Sequence, residues 1–449
     1  MSRTAPANLE QRSLSGASWR PTERLGILAG GGRLPLMIAE SVLQHGGRVH
    51  IVGIEGEADP GITFFPHTWV NWGEIGRLVA TLRSEGGDAL VIAGGVRRPD
   101  LWKVRPDTGF FLSLPQILRM LAGGDDSVLS RVVRFFEAKG FTVHGAHQVA
   151  PDLLAAGGRL GAVALGRQSH ADAALGFAVR AALGPLDAGQ AVAVADGRVL
   201  AIEGAEGTDA MLARVAGIRS GGRQEGQRSG VLAKGPKPGQ ELRVDMPAIG
   251  PRTVELAAEA GLAGMAVEAG AVLLLDRGEA VHAADACGIA IEALPKAAAT
   301  PAGRVAVAGS SARVIGRLRP SQRDKADIEK GLAAIERLSA FNTGHAVVVA
   351  RAYILAIAAG ETAAAMLERT SALRQWGVGA KRRLGVLVSR VGMPDGDLPA
   401  IEQLFGQAAA QGLAGVAVTG PPAALAAFDD AARLADRHGL FLAACGERP

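Results

Sequence analysis

The sequence predicts an α/β protein with a Rossmann-like N-terminal domain, an α/β catalytic domain and a degenerate copy of that second domain. Two observations lead to this prediction. In the first third of the chain, short apolar runs that end in glycines alternate with helical stretches, which is the pattern of a parallel doubly wound sheet. Farther along, one block of sequence returns after about 155 residues, which indicates a duplicated domain rather than a solenoid.

The elements of the N-terminal domain follow from this alternation. We expect, in order, a strand at 25–29, a helix at 36–43, and strands at 48–54, 89–93 and 141–143. In the next domain we expect a helix at 171–182 and a strand at 190–194. The turn Asp196-Gly197 then leads into a strand at 199–202, which is a hairpin signal. Residues 217–230 are rich in Gly, Arg, Ser and Gln and predict a loop.

These elements define the predicted domain boundaries. They are a disordered tail at 1–23, the Rossmann-like domain at 24–158, the catalytic domain at 159–296, a linker at 297–320 and the degenerate copy at 321–446. The length of 449 residues suits about three domains.

Composition excludes several classes of protein. The net charge is only +4 and the basic residues are dispersed, which argues against nucleic-acid binding. The start of the chain lacks an apolar signal region, and no uncharged apolar run reaches the ~18 residues of a membrane span. We therefore expect a cytoplasmic protein. Cys287 and Cys445 form no C-x-x-C pattern, so no zinc or redox motif is predicted.

The repeat marks candidate functional residues, because one copy has lost polar groups that the other carries. Residues 201–214 read AIEGAEGTDAMLAR, and residues 356–369 read AIAAGETAAAMLER. The apolar framework is kept. The polar side chains that disappear are those of Glu203, Thr208 and Asp209, which become Ala358, Ala363 and Ala364, and that of Lys234, which becomes Ser389.

From these residues we predict a site in the first copy. Acids could bind a divalent cation or activate water, and Lys234 could neutralise a phosphate. A surface salt-bridge network is the alternative for any one of them. Asp245 belongs to the same group, but its counterpart Asp397 is also an acid, so the comparison of the copies does not single it out.

Two glycine turns could hold phosphate groups. Gly30-Gly31-Gly32-Arg33 follows the first strand and precedes a helix, and Gly94-Gly95 closes a later strand just before Arg97 and Arg98. Backbone N–H groups in such turns can approach an anion closely, but an ordinary tight turn is an equal alternative. Neither turn has the G-x-G-x-x-G spacing of a dinucleotide site, which argues against a nicotinamide-dependent dehydrogenase.

Two further groups in the N-terminal domain carry possible chemistry. Asp125 and Asp126 could bind a hydrated Mg²⁺, or they could begin a helix, where acids are also favoured. His144 and His147 follow a strand, and loop packing or substrate contact is favoured over metal ligation for them. The predicted substrate-binding residues are Gly30, Gly31, Gly32, Arg33, Gly94, Gly95, His147, Gln190, Glu203, Thr208 and Lys234, and the predicted metal ligands are Asp125, Asp126, Glu206 and Asp209.

The motifs LAGGGRLP, IAGGVRRP, GDDSVL, HGAHQVAPDLL, GQAVAVADGRVLAIEGAEGTDAML and KPGQELRVDMPAIGP occur in this order. Over residues 24–296 the chain closely resembles UDP-2,3-diacylglucosamine pyrophosphatases of the LpxI type. The resemblance implies hydrolysis of a lipid-linked sugar nucleotide to UMP and 2,3-diacylglucosamine 1-phosphate in lipid A biosynthesis, with Mg²⁺ or Mn²⁺, at the cytoplasmic surface of the inner membrane. It further implies a site in the cleft between two domains, with Asp245 as the catalytic residue.

The extra copy departs from this family pattern, and we expect it to have no active site of its own. Our hypothesis is that it packs on the first copy as a pseudo-partner, in place of the self-association that the resemblance implies. The apolar run Phe110, Phe111, Leu112 and Leu114 could contact lipid or could be ordinary core. The alternative function is that of a sugar-nucleotide-binding regulatory protein that hydrolyses nothing.

Overall fold

The computed structural model describes residues 19–20, 24–96, 105–121, 125–220, 228–296, 313–373, 383–391, 398–421, 425 and 431–446. Most of the predicted tail and residues 297–312 of the predicted linker lie outside these ranges. The chain forms two compact units. The first unit contains the residues up to 154 together with residues 240–248 and 273–275, and the second contains the remainder.

The first unit is built on a five-stranded parallel sheet. Its strands are β1 (Arg24–Ala29), β2 (Arg48–Ile54), β3 (His67–Val70), β4 (Ala89–Ala93) and β5 (Thr142–His144), and its helices are α1 (Leu34–Gln44), α2 (Ile75–Thr81), α3 (Thr108–Leu121), α4 (Asp125–Ala138) and α5 (Ala146–Val149). The strand order is β3-β2-β1-β4-β5. The parallel doubly wound sheet that the sequence predicts is therefore confirmed.

Both faces of this sheet are buried, as a doubly wound sheet requires. Ile27 of β1 packs in the core on one face, and its neighbour Leu28 packs in a second core on the other. Because successive strand residues point to opposite faces, the apolar run of β1 serves both cores.

Two segments from later in the chain also belong to the first unit. Strand β10 (Ala248–Ile249) pairs with β12 (Leu273–Leu274) in a two-stranded sheet. The amide of Leu273 donates to the carbonyl of Pro247 at 2.8 Å. The predicted catalytic domain at 159–296 is therefore not one continuous packing unit, and Asp245 packs with the N-terminal domain.

The first copy in the second unit is a mixed six-stranded sheet flanked by helices. Its strands are β6 (Gly158–Arg159), β7 (Ala191–Ala195), β8 (Arg198–Ile202), β9 (Val231–Lys234), β11 (Gly264–Glu268) and β13 (Ala290–Leu294), and its helices are α6 (Arg167–Leu183), α7 (Gly207–Arg219), α8 (Pro251–Glu259) and α9 (Arg277–Cys287). The order is β6-β13-β11-β9-β7-β8, with parallel pairing among β9, β11 and β13. The predicted hairpin of β7 and β8 is confirmed.

The second copy repeats this sheet strand for strand. Its strands are β14 (Arg313–Ile315), β15 (Ala346–Ala350), β16 (Tyr353–Ala358), β17 (Val386–Arg390), β18 (Gly415–Gly420) and β19 (Phe441–Gly446), and its helices are α10 (Gln322–Ser339), α11 (Ala363–Leu373), α12 (Leu398–Ala410) and α13 (Ala432–Arg437). The order is β14-β19-β18-β17-β15-β16. Ala191 pairs with Lys234 in the first copy, and Ala346 pairs with Ser389 in the second, so the register is the same.

Both copies begin earlier than the sequence indicates. Gly158, which we assigned to the N-terminal domain, lies in β6 and pairs with β13. Arg313–Ile315, which we assigned to the linker, forms β14 and pairs with β19 in the equivalent place. These short edge strands were missed because two or three residues carry no periodicity that a sequence can show.

The two copies form one body with a pseudo-two-fold relationship. Residues of α6 and α10, including Val179 and Ile335, share a hydrophobic core that draws on both sheets. The edge strands β8 and β16 meet through two reciprocal hydrogen bonds. The amide of Ala205 donates to the carbonyl of Leu355 at 3.0 Å, and the amide of Gly360 donates to the carbonyl of Leu200 at 2.9 Å.

Candidate active site

Three buried polar side chains of the first copy are joined by hydrogen bonds. The ammonium of Lys234, at the end of β9, donates to Thr208 Oγ1 at 2.8 Å. The hydroxyl of Thr208, in the first turn of α7, donates to Glu203 Oε1 at 3.1 Å. Glu203 directly follows β8. Three separate elements thus bring together three residues that the sequence marks by their loss in the second copy.

Burial controls the electrostatics of Glu203. Loss of solvation raises the pKa of its carboxyl, while the charge of Lys234 and the hydrogen bond from Thr208 act in the opposite direction. Its second oxygen, Oε2, is buried and has no hydrogen-bond partner among the residues that the structure describes. A buried acceptor without a donor is uncommon and points to a group that is supplied from outside.

Two further charged residues extend this group, and the sequence analysis missed both. Arg180, in α6, is buried and donates to the carbonyl oxygens of Gln190 (3.0 Å) and Pro236 (2.8 Å). Its guanidinium lies 3.9 Å from the carboxylate of Glu268, at the end of β11. Burial lowers the pKa of Arg180 to about 10, against the effects of Glu268 and Glu203. We refer to Glu203, Thr208, Lys234, Arg180 and Glu268 as the polar cluster.

The second copy has lost the whole polar cluster. Shared strand register and helix position place Ile335 where the first copy has Arg180, and Thr419 where it has Glu268. Ala358, Ala363 and Ser389 take the places of Glu203, Thr208 and Lys234. Comparison of the two copies in the sequence could thus have identified Arg180 and Glu268 as well.

A buried acid that both copies keep has a structural role. Asp172 accepts hydrogen bonds from the amides of Asp196 (3.1 Å) and Gly197 (2.8 Å) in the β7–β8 turn. Its counterpart Asp327 accepts from the two amides of the β15–β16 turn at 3.0 and 2.6 Å. Groups that the fold requires were therefore retained, which strengthens the functional interpretation of those that were not.

Glu206 is also retained in the second copy. Its carboxylate contacts two arginines, and these contacts do not support its assignment as a metal ligand. Its counterpart is Glu361. One carboxylate oxygen of Glu206 accepts from Arg214 at 2.5 Å, and the other lies 3.2 Å from Arg369 of the second copy. Asp209, another predicted metal ligand, is exposed to solvent in the first turn of α7.

The predicted glycine turns lie against each other at the ends of β1 and β4. The amide of Gly31 donates to the carbonyl of Gly95 at 2.6 Å, and the reverse bond measures 3.0 Å. A Cβ on Gly30 would lie 2.5 Å from the carbonyl oxygen of Gly95, and one on Gly94, which has φ +92°, would lie 2.7 Å from the Gly30 backbone. Close backbone packing therefore accounts for Gly30 and Gly94, whereas a Cβ on Gly95 would meet nothing within 4 Å.

The last part of the first turn remains open. Gly32 has φ +88°, and a Cβ there would meet nothing within 4 Å. Arg33 is exposed and is the N-cap residue of α1, which has a proline in its first turn. Arg97 and Arg98 of the second turn lie outside the described residues.

Asp245 lies in the first unit and is only partly buried. Gln240 Nε2 donates to Asp245 Oδ2 at 2.6 Å, and the amide of Asp245 donates to the carbonyl of Glu241 at 3.0 Å. Nearby, Arg243 bonds both oxygens of Glu241 and one oxygen of Glu137, all at 2.7 to 2.8 Å. The hydrogen bonds and charge of Arg243 lower the pKa of Glu241, and they hold the segment that contains Asp245.

His147 lies on the same unit. Its ring packs against the backbone of Gly145 in the turn before α5. Burial lowers the pKa of its imidazole, and Nδ1 is buried without a hydrogen-bond partner in the described part of the chain. Contact of His147 with the substrate stays a prediction.

The described side chains do not form a metal site. Within the described ranges, no three His, Cys, Asp or Glu side chains are placed to share one metal ion. Asp125 and Asp126 are the first residues of α4, and their side chains lie outside the described part of the structure. The requirement for Mg²⁺ or Mn²⁺ stays a prediction, and no catalytic step is derived from it.

Comparison with known sequences follows the same division of the chain. The LpxI N-terminal domain matches residues 24–153, and the LpxI C-terminal domain matches twice, at residues 156–292 and 311–443. The chain belongs to the LpxI family. The UDP-2,3-diacylglucosamine pyrophosphatase LpxI of Caulobacter vibrioides is 42% identical over 268 residues, which are 59% of this chain and 95% of that protein.

The LpxI relationship explains which copy carries the polar groups. The first LpxI C-terminal match contains the polar cluster, whereas the second contains its apolar or uncharged replacements; Asp245 has an acidic counterpart, Asp397, in the second match. The aligned length of the Caulobacter LpxI is accounted for by one N-terminal and one C-terminal domain. The second copy is therefore an addition to the LpxI arrangement.

Proposed function

We propose that the chain hydrolyses the diphosphate of UDP-2,3-diacylglucosamine to UMP and 2,3-diacylglucosamine 1-phosphate (lipid X). The observation that carries this proposal is the polar cluster, which is complete in the first copy and absent from the second. Membership of the LpxI family, and a relative named for this activity, support the substrate.

The reaction places two demands on the protein. Water must attack one phosphorus, with a P–O bond forming to the water oxygen while the bridging P–O bond breaks, and the negative charge on the phosphates must be compensated. We propose that Lys234 compensates charge on the substrate phosphates. The attacking water loses one proton, and Asp245 accepts it; Gln240 holds Oδ2 and orients the carboxylate.

We propose that Glu203 recognises a hydroxyl or N–H group of the sugar nucleotide. Oε2 of Glu203 is a buried acceptor without a partner among the described residues, so a ligand donor would remove an energetic penalty of ~1–3 kcal/mol. Thr208, which bonds both Lys234 and Glu203, fixes the spacing of the cation and the acid.

An assay of UMP release tests the proposal against its alternative, a regulatory protein that binds the sugar nucleotide and hydrolyses nothing. We expect UMP to accumulate with Mg²⁺ present, and EDTA to abolish its release if the metal prediction holds. Binding of UDP-2,3-diacylglucosamine without release of UMP, with either Mg²⁺ or Mn²⁺, would establish the alternative.

The lipid substrate suggests contact with the inner-membrane surface. Across the described ranges, no helix has the length and apolar character to cross a bilayer. Phe111 and Leu112 of α3 are exposed, at 60% and 83% of their full accessibility. We propose that this pair contacts acyl chains or the lipid surface. Flotation with anionic vesicles should decrease for Phe111→Ser/Leu112→Ser and stay unchanged for Phe64→Ser, which removes an even more exposed aromatic group elsewhere, at 90%.

We infer that the second copy takes the place of a second subunit. Two features resemble an isologous dimer interface within one chain. They are the reciprocal hydrogen bonds between the edges at β8 and β16 and the core that α6 and α10 share. Sedimentation should show a monomer. A homodimer whose stability is unaffected by removal of the second copy would contradict this inference.

A further inference from the structure

The loop that carries Glu203 is attached to the second copy. This loop, residues 203–206, connects β8 to α7, whose second residue is Thr208. Its backbone bonds the opposite copy through the amide of Ala205, which donates to Leu355 in β16 at 3.0 Å. The polar cluster is therefore positioned in part by a domain that contributes no side chain to it.

A partly buried group of four charges reinforces this attachment. Glu206 binds Arg214 of its own copy and Arg369 of the other, and Glu361 binds Arg369 at 2.7 Å and Arg214 at 3.3 Å. The carboxylate of Glu206 also accepts from the amide of Gly204 at 3.2 Å. Arg369 thus acts on the residue next to Glu203 through two consecutive contacts.

The same contacts hold one loop in each copy, but only the loop of the first copy carries a residue of the polar cluster. In the first copy they hold the loop with Glu203 and lead into Thr208, whereas in the second they hold a loop with Ala358 and lead into Ala363. The second copy has lost the polar cluster but has kept Glu361 and Arg369. Retention of the interface charges beside loss of the site indicates that the interface still serves the first copy.

We propose that the second copy is an internal positioning domain, in which Leu355 and Arg369 hold the 203–206 loop so that Glu203 and Thr208 meet Lys234 in the geometry that turnover requires. Arg369 is a positioning residue that acts through Glu206, not a catalytic one. This proposal rests on the proposed pyrophosphatase function.

Two matched substitutions test the positioning role. Arg369→Ala removes the second-copy contact of Glu206, and Glu361→Ala removes a charge from the same group but leaves Arg369 beside Glu206. If the charges only stabilise the fold, both variants lose thermal stability and lose activity to the same degree. We expect kcat to fall roughly tenfold to hundredfold in Arg369→Ala alone, with a smaller change in KM and partial recovery in Arg369→Lys.

A second pair of variants acts through the backbone. A methyl group on Gly204 would lie 2.4 Å from the carbonyl oxygen of Leu355, and one on Gly360 would lie 2.6 Å from that of Leu200. Gly204→Ala should push the loop with Glu203 away from β16 and lower kcat. Gly360→Ala should push away only the loop of the second copy, and leave kcat within about twofold, far below the loss that misplacement of a catalytic group causes.

Hydrogen exchange separates failure of this proposal from failure of the proposed function, because it needs no substrate. In Arg369→Ala the amides of residues 201–212 should exchange faster, while in Glu361→Ala those of 356–367 should be affected more. Equal loss of kcat in Arg369→Ala and Glu361→Ala, or unchanged kcat in both Arg369→Ala and Gly204→Ala, would overturn the positioning role. Absence of turnover in the unmodified protein would overturn the proposed function alone, whereas unchanged exchange of residues 201–212 in Arg369→Ala would overturn the positioning of the loop whether or not the chain turns over substrate.

Discussion

Lys234 and Glu203 are held on the same hydroxyl group, that of Thr208, which accepts from the ammonium at 2.8 Å and donates to the carboxylate at 3.1 Å. In the second copy the three positions are Ser389, Ala358 and Ala363, on strands and a helix of the same register. The chain thus contains its own reference structure, in which the same fold forms without this arrangement. Several predictions can be made with the second copy as an internal control.

Substitution of Lys234 by the residue of the second copy should strongly reduce turnover without unfolding the protein. Lys234→Ser removes the cation assigned to the phosphates, and loss of such electrostatic stabilisation lowers kcat by about 10²- to 10³-fold. The matched control is Ser389→Ala, at the equivalent position. It should leave the rate of UMP release unchanged. Comparable losses in both variants would show that the position matters for the fold and not for the reaction.

The triple variant Glu203→Ala/Thr208→Ala/Lys234→Ser should fold as stably as the unmodified chain while losing activity. Glu203 and Lys234 are replaced together with Thr208, so neither of the two is left as a buried charge without the other. The second copy shows that the surrounding sheet and helix accommodate these residues. We expect a free energy of unfolding within ~1 kcal/mol of the original value or above it, as is common when functional polar residues are replaced. Urea denaturation measures this directly.

Stability should depend on pH through Glu203. Burial raises the pKa of this carboxyl in the folded chain, so the folded state binds the proton more tightly than the unfolded state. Ionisation therefore costs stability as the pH rises above the unfolded value of about 4.3. Glu203→Gln removes this loss. The stability of the variant minus that of the unmodified protein, measured as free energy of unfolding, should therefore be larger at pH 8 than at pH 5. A difference that does not change with pH would contradict the assignment.

Loss of Asp172 or Asp327, the acids that both copies retain, should lower stability and leave activity unchanged. Asp172→Ala and Asp327→Ala each leave two turn amides without their acceptor, at a cost of ~1–3 kcal/mol. Both variants should be destabilised to a similar extent, while kcat for the folded enzyme stays unchanged. A drop in kcat for Asp172→Ala at a temperature where it is fully folded would place this acid in the reaction instead.

The architecture was largely predictable, because its signals are local. Glycines after apolar runs located β1 and β4, and the Asp196-Gly197 turn located the β7–β8 hairpin. Edge strands β6 and β14 were not predictable, since two or three residues pair only through contacts that are distant in sequence. The packing of residues 240–248 with the first unit was missed for the same reason.

The candidate site was predictable in part. Comparison of the copies identified Glu203, Thr208 and Lys234, which the structure joins by hydrogen bonds. Glu206 was included although the second copy keeps it as Glu361, and the structure shows why it was kept. Arg180 and Glu268 escaped notice because a charged residue in a helix or at a strand end usually lies in solvent. Only the fold brings Arg180 within electrostatic reach of Glu203 and places Glu268 3.9 Å from Arg180.

The central claim is that the chain hydrolyses UDP-2,3-diacylglucosamine and that Asp245 takes part in the reaction. The most direct test measures UMP release from UDP-2,3-diacylglucosamine by the unmodified chain, by Asp245→Ala, and by Asp397→Ala, which alters the counterpart of Asp245 outside the described residues. We predict turnover in the unmodified chain and in Asp397→Ala, and its loss in a folded Asp245→Ala. Equal turnover in all three proteins, or loss in Asp397→Ala alone, would contradict the account.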